Sequence, residues 1–125
     1  MLFKLYTVRI FSFNWDASFK FYSETLGLPV FYSDAELGWA QFDVGGCYLG
    51  LEKCDHHDPE AKHLVGRFVA TSLQVDDIEL VYTTLCSKGV EFVAPPEKQP
   101  WGGVLAHFKD PDGNVLTLLE YKDNV

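Results

Sequence analysis

Trp15-Asp16-Ala17-Ser18-Phe19-Lys20-Phe21-Tyr22-Ser23-Glu24-Thr25-Leu26-Gly27-Leu28-Pro29-Val30-Phe31 decides the fold, because its pattern returns. Asp77 to Lys88 is a second helix-like stretch, and it too ends in glycine and a short strand, Gly89-Val90-Glu91-Phe92-Val93. Gly27 and Gly89 lie 62 residues apart, and so do Trp39 and Trp101. In a chain of 125 residues that spacing is close to half the length, so the repeat is global. An internal repeat fixes the architecture before any local reading does. Two copies of one small α+β unit can pair and leave a groove between them, and that groove is the first place to look for function.

Each unit reads β-α-β-β-β. Lys4 to Phe13 is an opening strand. Trp15, Phe19, Tyr22 and Leu26 then recur on one face of a 3.6-residue period. Asn14 caps that helix and Gly27 stops it. Strands are expected at Pro29–Ser33, Trp39–Val44 and Cys47–Glu52, with a hairpin turn at Gly45-Gly46. The second unit repeats the order: strand Arg67–Val75, helix Asp77–Lys88 with Ile78, Val81, Tyr82 and Leu85 on one face, then strands Val90–Ala94, Val104–Lys109 and Val115–Tyr121. Asp110-Pro111-Asp112-Gly113-Asn114 has the residues of a tight turn joining the last two. One domain is expected over residues 1–125, with a module at about 1–53, a linker at about 54–66 and a module at about 67–125.

Composition narrows the class. Apolar residues make up 47% and charged residues 22%, the balance of a globular protein. No apolar run approaches a membrane span. The opening residues interleave Lys4 and Arg9 with apolar side chains and lack the profile of a signal peptide. Three cysteines, Cys47, Cys54 and Cys86, form no CxxC pair; that suits a reducing compartment, and the expected location is cytoplasmic. The net charge of −8, without a basic stripe, argues against nucleic acid as a partner.

The segment Trp101-Gly102-Gly103-Val104-Leu105-Ala106-His107-Phe108-Lys109-Asp110-Pro111-Asp112-Gly113-Asn114, taken with Ser18-Phe19-Lys20-Phe21-Tyr22-Ser23-Glu24-Thr25-Leu26-Gly27, resembles the vicinal oxygen chelate superfamily. That group includes glyoxalase, extradiol dioxygenases, fosfomycin-resistance enzymes and bleomycin-binding proteins. The resemblance covers nearly the whole chain and implies two tandem βαβββ modules whose curved sheets pair around a groove. It also implies a homodimer. The matching motifs build a helix and a turn, so they carry fold and not chemistry.

Metalloenzymes of that superfamily hold a divalent ion with His and Glu, about one ligand per strand. The resemblance puts those positions at Thr7, Gly50, Ala70 and Thr117. None is a usual metal ligand, because a divalent ion needs several nitrogen or oxygen donors. Glu52 shares a strand face with Gly50, whereas Glu120, three residues from Thr117, points to the other face. No metal and no cofactor is therefore expected.

Alternation places Thr7, Arg9, Trp39, Gln41, Tyr48, Gly50, Glu52, Ala70, Ser72, Trp101, Leu105, His107 and Thr117 toward the groove. This lining is aromatic and small, with few polar groups, which suits a small-molecule pocket. Thr7, Trp39, Tyr48, Glu52, Ser72, Trp101, Leu105, His107 and Thr117 are the expected ligand contacts. Trp39 and Trp101 offer flat apolar area from matching places in the two units. His107 is a possible acid or base, and Glu52 a possible base, against plainer readings as a strand histidine and a strand-end charge. Cys47 has no neighbouring base and reads as packing. His56, His57 and His63, near Cys54, Asp55 and Asp58, look like a metal cluster by composition but match no zinc spacing and read as a solvated loop. The leading expectation is metal-free binding of a planar or aromatic small molecule. The alternative is a glyoxalase-type lyase or isomerase, or a dioxygenase, with a non-standard metal site; a purely structural domain is the third reading.

Overall fold

Two side chains start the two helices. Asn14 Oδ1 accepts from the Ala17 amide at 3.4 Å, and Asp77 Oδ1 accepts from the Leu80 amide at 3.1 Å. Each satisfies a first-turn amide that has no partner inside its helix. The computed structural model describes residues 1–122, so the last three residues of the second module lie outside it. The chain divides into two compact units, Met1–Arg67 and Phe68 onward, and residues 54–66 belong with the first.

The first unit runs β1 (Thr7–Ser12), α1 (Trp15–Lys20), β2 (Val30–Asp34), β3 (Trp39–Val44) and β4 (Cys47–Lys53), followed by a single 3₁₀ turn at Ala61–His63. Its sheet has the order β1-β4-β3-β2, with β1 parallel to β4 and the other pairs antiparallel. The second unit runs β5 (Phe68–Gln74), α2 (Ile78–Ser87), β6 (Glu97–Lys98), β7 (Val104–Lys109) and β8 (Val115–Glu120). Its order, β5-β8-β7-β6, repeats the first with β5 parallel to β8. Both units are therefore βαβββ modules with a four-stranded mixed sheet.

Alternation gives each sheet a helix-covered face. In the first unit Ile10, Ala40, Phe42, Leu49 and Leu51 are buried there, and Trp15 of α1 donates its indole N–H to the Leu51 carbonyl at 3.1 Å. Phe42 packs between Phe19 and Tyr22. In the second unit Ala106, Phe108, Leu116 and Leu118 are buried with Ile78 and Leu85 of α2, which packs on β7 and β8. Burying an aliphatic or aromatic side chain of this kind stabilises a fold by roughly 1.5–3 kcal/mol. Glu120 belongs to this covered face, where Oε1 accepts the Ile78 amide at 3.1 Å.

Two turns follow their chemistry. Gly45 and Gly46 both take positive φ, 63° and 100°, as a two-residue hairpin loop requires. Buried Asp110 accepts from the amides of Asp112 and Asn114 and from Asn114 Nδ2, at 2.9–3.0 Å, which closes the β7–β8 turn.

Three expectations need revision. The first helix does not run as an α-helix to Leu26; Phe21–Thr25 is wound as a π turn, with Leu26 N donating to Phe21 O. Ser23 Oγ donates back to the Phe19 carbonyl at 2.7 Å at this point, a bond that bends helices. Val90–Ala94 is not a ladder strand. It touches β7 through a single bridge, Phe92 with Phe108, and Pro95-Pro96 then removes two amide donors before β6 resumes pairing. Finally, β1 begins at Thr7, three residues later than Lys4.

Candidate functional site

The uncovered sheet faces carry the candidate residues. In the first unit the pairing register sets Arg9, Gly50 and Gln41 in one row across β1, β4 and β3, with Glu52 and Trp39 in the next row and Thr7 and Tyr48 in the row before. All seven point away from α1, as alternation requires.

The packing on this face centres on Gly50. A methyl group added to Gly50 would meet Trp39 Cη2 at 2.5 Å and Thr7 Oγ1 at 3.0 Å. The benzo edge of the indole, Cη2 and Cζ3, therefore occupies the space left by the missing side chain of Gly50. Trp39 Nε1 donates to Gln41 Oε1 at 3.3 Å, and Gln41 Nε2 donates to the Tyr6 hydroxyl at 2.9 Å. Gln41 is only 7% exposed, so the middle of this relay is shielded from water, while the Trp39 ring is half-buried and Tyr6 is exposed. Tyr48 meets Tyr6 edge-on at 5.2 Å and Phe31 at 4.7 Å. Arg9 and Glu52 form an ion pair at 3.0 Å, with side chains 53% and 38% exposed. Glu52 thus stands beside a cation in partial contact with water, not alone in an apolar pocket.

In the second unit the equivalent row is Ser72, Thr117 and His107. His107 Nδ1 lies 2.8 Å from Thr117 Oγ1, and Thr117 is buried. The Phe68 ring meets the imidazole edge-on at 5.5 Å. Leu105 lies one row on. Between Phe68 and Ser72 the register on β8 slips, and Ala70 sits in the slipped segment with φ of 58°, an uncommon conformation for a residue with a side chain.

Trp101 is not the structural match of Trp39. Trp39 pairs with Glu52, two residues beyond Gly50, and the residue in that place in the second unit is Leu105, paired with Leu119. Trp101 lies in the turn before β7, is 54% exposed, folds over Gly103, and has Tyr121 at 5.7 Å. The equal 62-residue spacing of the two tryptophans breaks down because the second unit has extra residues between Gly89 and β7.

Sequence reasoning passed over Tyr6, Phe31 and Phe68. Phe68 was within reach of it, because counting back by two from Ser72 places it on the same face. Tyr6 and Phe31 stand next to irregular strand ends, where period-two counting fails.

None of the four expected ligand positions offers what a divalent ion needs. Thr7 Oγ1 is a buried hydroxyl without a hydrogen-bond partner among the described residues, Gly50 is covered by indole carbon, Ala70 offers methyl, and the Thr117 hydroxyl is bonded to His107. Neutral hydroxyls supply neither the charge nor the number of donors such an ion needs. The linker histidines do not gather either: His56 stacks on Phe13 at 4.2 Å, and no group of three His, Cys, Asp or Glu side chains is arranged for a metal among the described residues. Cys47, Cys54 and Cys86 are free thiols.

Residues 4–118 match the model of the Glyoxalase/Bleomycin resistance protein/Dioxygenase superfamily. The chain belongs to this superfamily. Among curated members, a bleomycin resistance protein of Klebsiella pneumoniae is 30% identical over 121 residues, covering 91% of this chain and 90% of that protein. The uncharacterized protein YraH of Bacillus subtilis is also 30% identical, covering 94% and 98%. A solved superfamily structure from Sphaerobacter thermophilus superposes with a TM-score of 0.79 at 26% identity, covering 96% of this chain and 98% of that one. No helix among the described residues is long and apolar enough to cross a membrane.

Proposed function

We propose that this superfamily member binds a planar or aromatic small molecule, without a metal and without turnover. One observation carries the reading: at Gly50, where the resemblance puts a metal ligand in the superfamily's metalloenzymes, the space is taken by the Cη2–Cζ3 edge of the Trp39 indole. In this reading the position expected to coordinate instead offers apolar aromatic area, the material of a small-molecule site. Thr7 and Tyr48 are the further contacts proposed on the first unit's uncovered face; Ser72, Leu105, Trp101 and the His107–Thr117 pair are those proposed on the second unit. The Klebsiella relative, named for bleomycin resistance, supports bleomycin as the first ligand to try. The same reading takes the protein as a cytoplasmic homodimer. Free cysteines and strongly exposed Leu2, Phe3 and Leu5 support this, and sedimentation analysis tests the dimer.

The test is a fluorescence titration with bleomycin and a panel of planar aromatics. Saturable quenching of tryptophan emission is expected. Trp101→Ala should weaken binding about tenfold, since lost stacking of about 1 kcal/mol adds to lost buried area. His107→Ala separates binding from catalysis. A binding protein loses a few-fold in affinity, whereas an enzyme using His107 as acid or base loses roughly 10²–10⁴-fold in turnover with binding nearly intact. Emission that stays unchanged across the panel sinks the reading.

A further inference from the structure

The first unit also holds a small pocket of about 190 Å³, lined by Lys4, Leu5, Tyr6, Asp43, Gly46 and Tyr48. Its aromatic walls are fixed in place. Tyr6 is held by the Gln41 amide at its hydroxyl and by the Tyr48 amide at its carbonyl, 3.2 Å away. The Tyr48 ring stands edge-on to Tyr6, with Phe31 behind it. Asp43 and Tyr48 are directly paired across β3 and β4, so the carboxylate rises beside the ring on the same face. Lys4 brings the opposite charge to the same pocket. Neither Lys4 nor Asp43 makes an ion pair or a side-chain hydrogen bond among the described residues.

Two aromatic rings meeting at a wide angle next to a carboxylate favour an ammonium group, because ring faces attract cations and the carboxylate adds Coulomb attraction. A lone cation would still meet Lys4. A ligand with an ammonium at one end and an anionic group at the other would satisfy both charges. We infer that this pocket binds a small zwitterion, a quaternary or primary ammonium carboxylate, with its cationic end between Tyr6, Tyr48 and Asp43 and its anionic end toward Lys4. The inference does not rest on the planar-ligand reading.

Glycine betaine is the probe, with tetramethylammonium and acetate as single-charge controls, followed by NMR shifts of the Leu5 methyls and the Tyr6 and Tyr48 rings. Saturable shifts are expected with betaine, with each control binding about tenfold more weakly. Asp43→Asn, which keeps shape and alters only a surface charge, should weaken betaine about three- to fivefold. Tyr48→Leu should weaken it about five- to tenfold. Shifts that never saturate, or betaine binding indifferent to Asp43→Asn, overturn the site. Equal affinity for tetramethylammonium overturns the zwitterion and the role of Lys4. Bleomycin quenching of tryptophan in Asp43→Asn should match the wild type, which keeps failure here distinct from failure of the planar-ligand reading.

Discussion

Gly50→Ala is the most direct probe of the aromatic platform. Gly50 lies inside β4, paired with Arg9 and Gln41, and its φ is not positive, so alanine meets no backbone strain. Taken alone, the exchange should stabilise by about 0.4–1 kcal/mol through the unfolded chain. The new methyl, however, would lie 2.5 Å from Trp39 Cη2, against an ordinary carbon contact of about 3.5–4.0 Å. The indole must retreat by roughly 1–1.5 Å. That stretches the 3.3 Å bond from Trp39 Nε1 to Gln41 and forfeits about 1 kcal/mol. Overpacking adds about 1–3 kcal/mol, toward the lower end because Trp39 is half-buried and can swing outward. The net expectation is a loss of about 1–2 kcal/mol, a fall in Tm of roughly 3–10 °C. Near-ultraviolet circular dichroism should lose tryptophan signal, and affinity for a planar ligand should fall about fivefold as the platform tilts. In a Trp39→Ala background the same Gly50→Ala change should become neutral or stabilising, so the double-mutant cycle isolates the contact. A Gly50→Ala protein at least as stable as the wild type, with its tryptophan dichroism intact, refutes the packing argument.

Other expectations are read by urea denaturation. His107→Ala should lower stability by about 1–2 kcal/mol, because the buried Thr117 hydroxyl loses its partner. Asp110→Ala should lower it by about 3 kcal/mol, since one carboxylate serves three donors in the β7–β8 turn; Asp110→Glu should not restore it if the geometry of the turn matters. Ala70→Val should destabilise by about 1–3 kcal/mol, as a β-branched residue is held at positive φ, while Ala70→Gly stays near the wild type.

The repeat, the cap of the first helix and the alternating faces were legible because each is written in local chemistry. Asn14 caps because its side chain is short and accepts a hydrogen bond, Asp77 does the same at what the sequence reads as the first helical residue, and Ile10, Phe42, Phe108 and Leu118 are buried by a strict period of two. The same period put Trp39, Gln41, Gly50, His107 and Thr117 on the uncovered faces. Local irregularities were not legible. The π turn at Phe21–Thr25 comes from a backbone bond over five residues that no side-chain pattern announces. The bulge around Ala70 joins two strands distant in sequence, so its register is a tertiary fact. The equal spacing of Trp39 and Trp101 suggested a symmetry that holds at the helices and fails at β7. The partners Gln41 for Trp39 and Thr117 for His107 arise from a neighbour two residues along and a cross-strand pair, and only the second follows from knowing which strands adjoin.

The indole seated on Gly50 also couples two positions that lie on neighbouring strands. A side chain at position 50 has room only if Trp39 swings outward or is replaced by a smaller residue. Position 39 therefore decides which residues position 50 can carry, and the pair behaves as one unit of change.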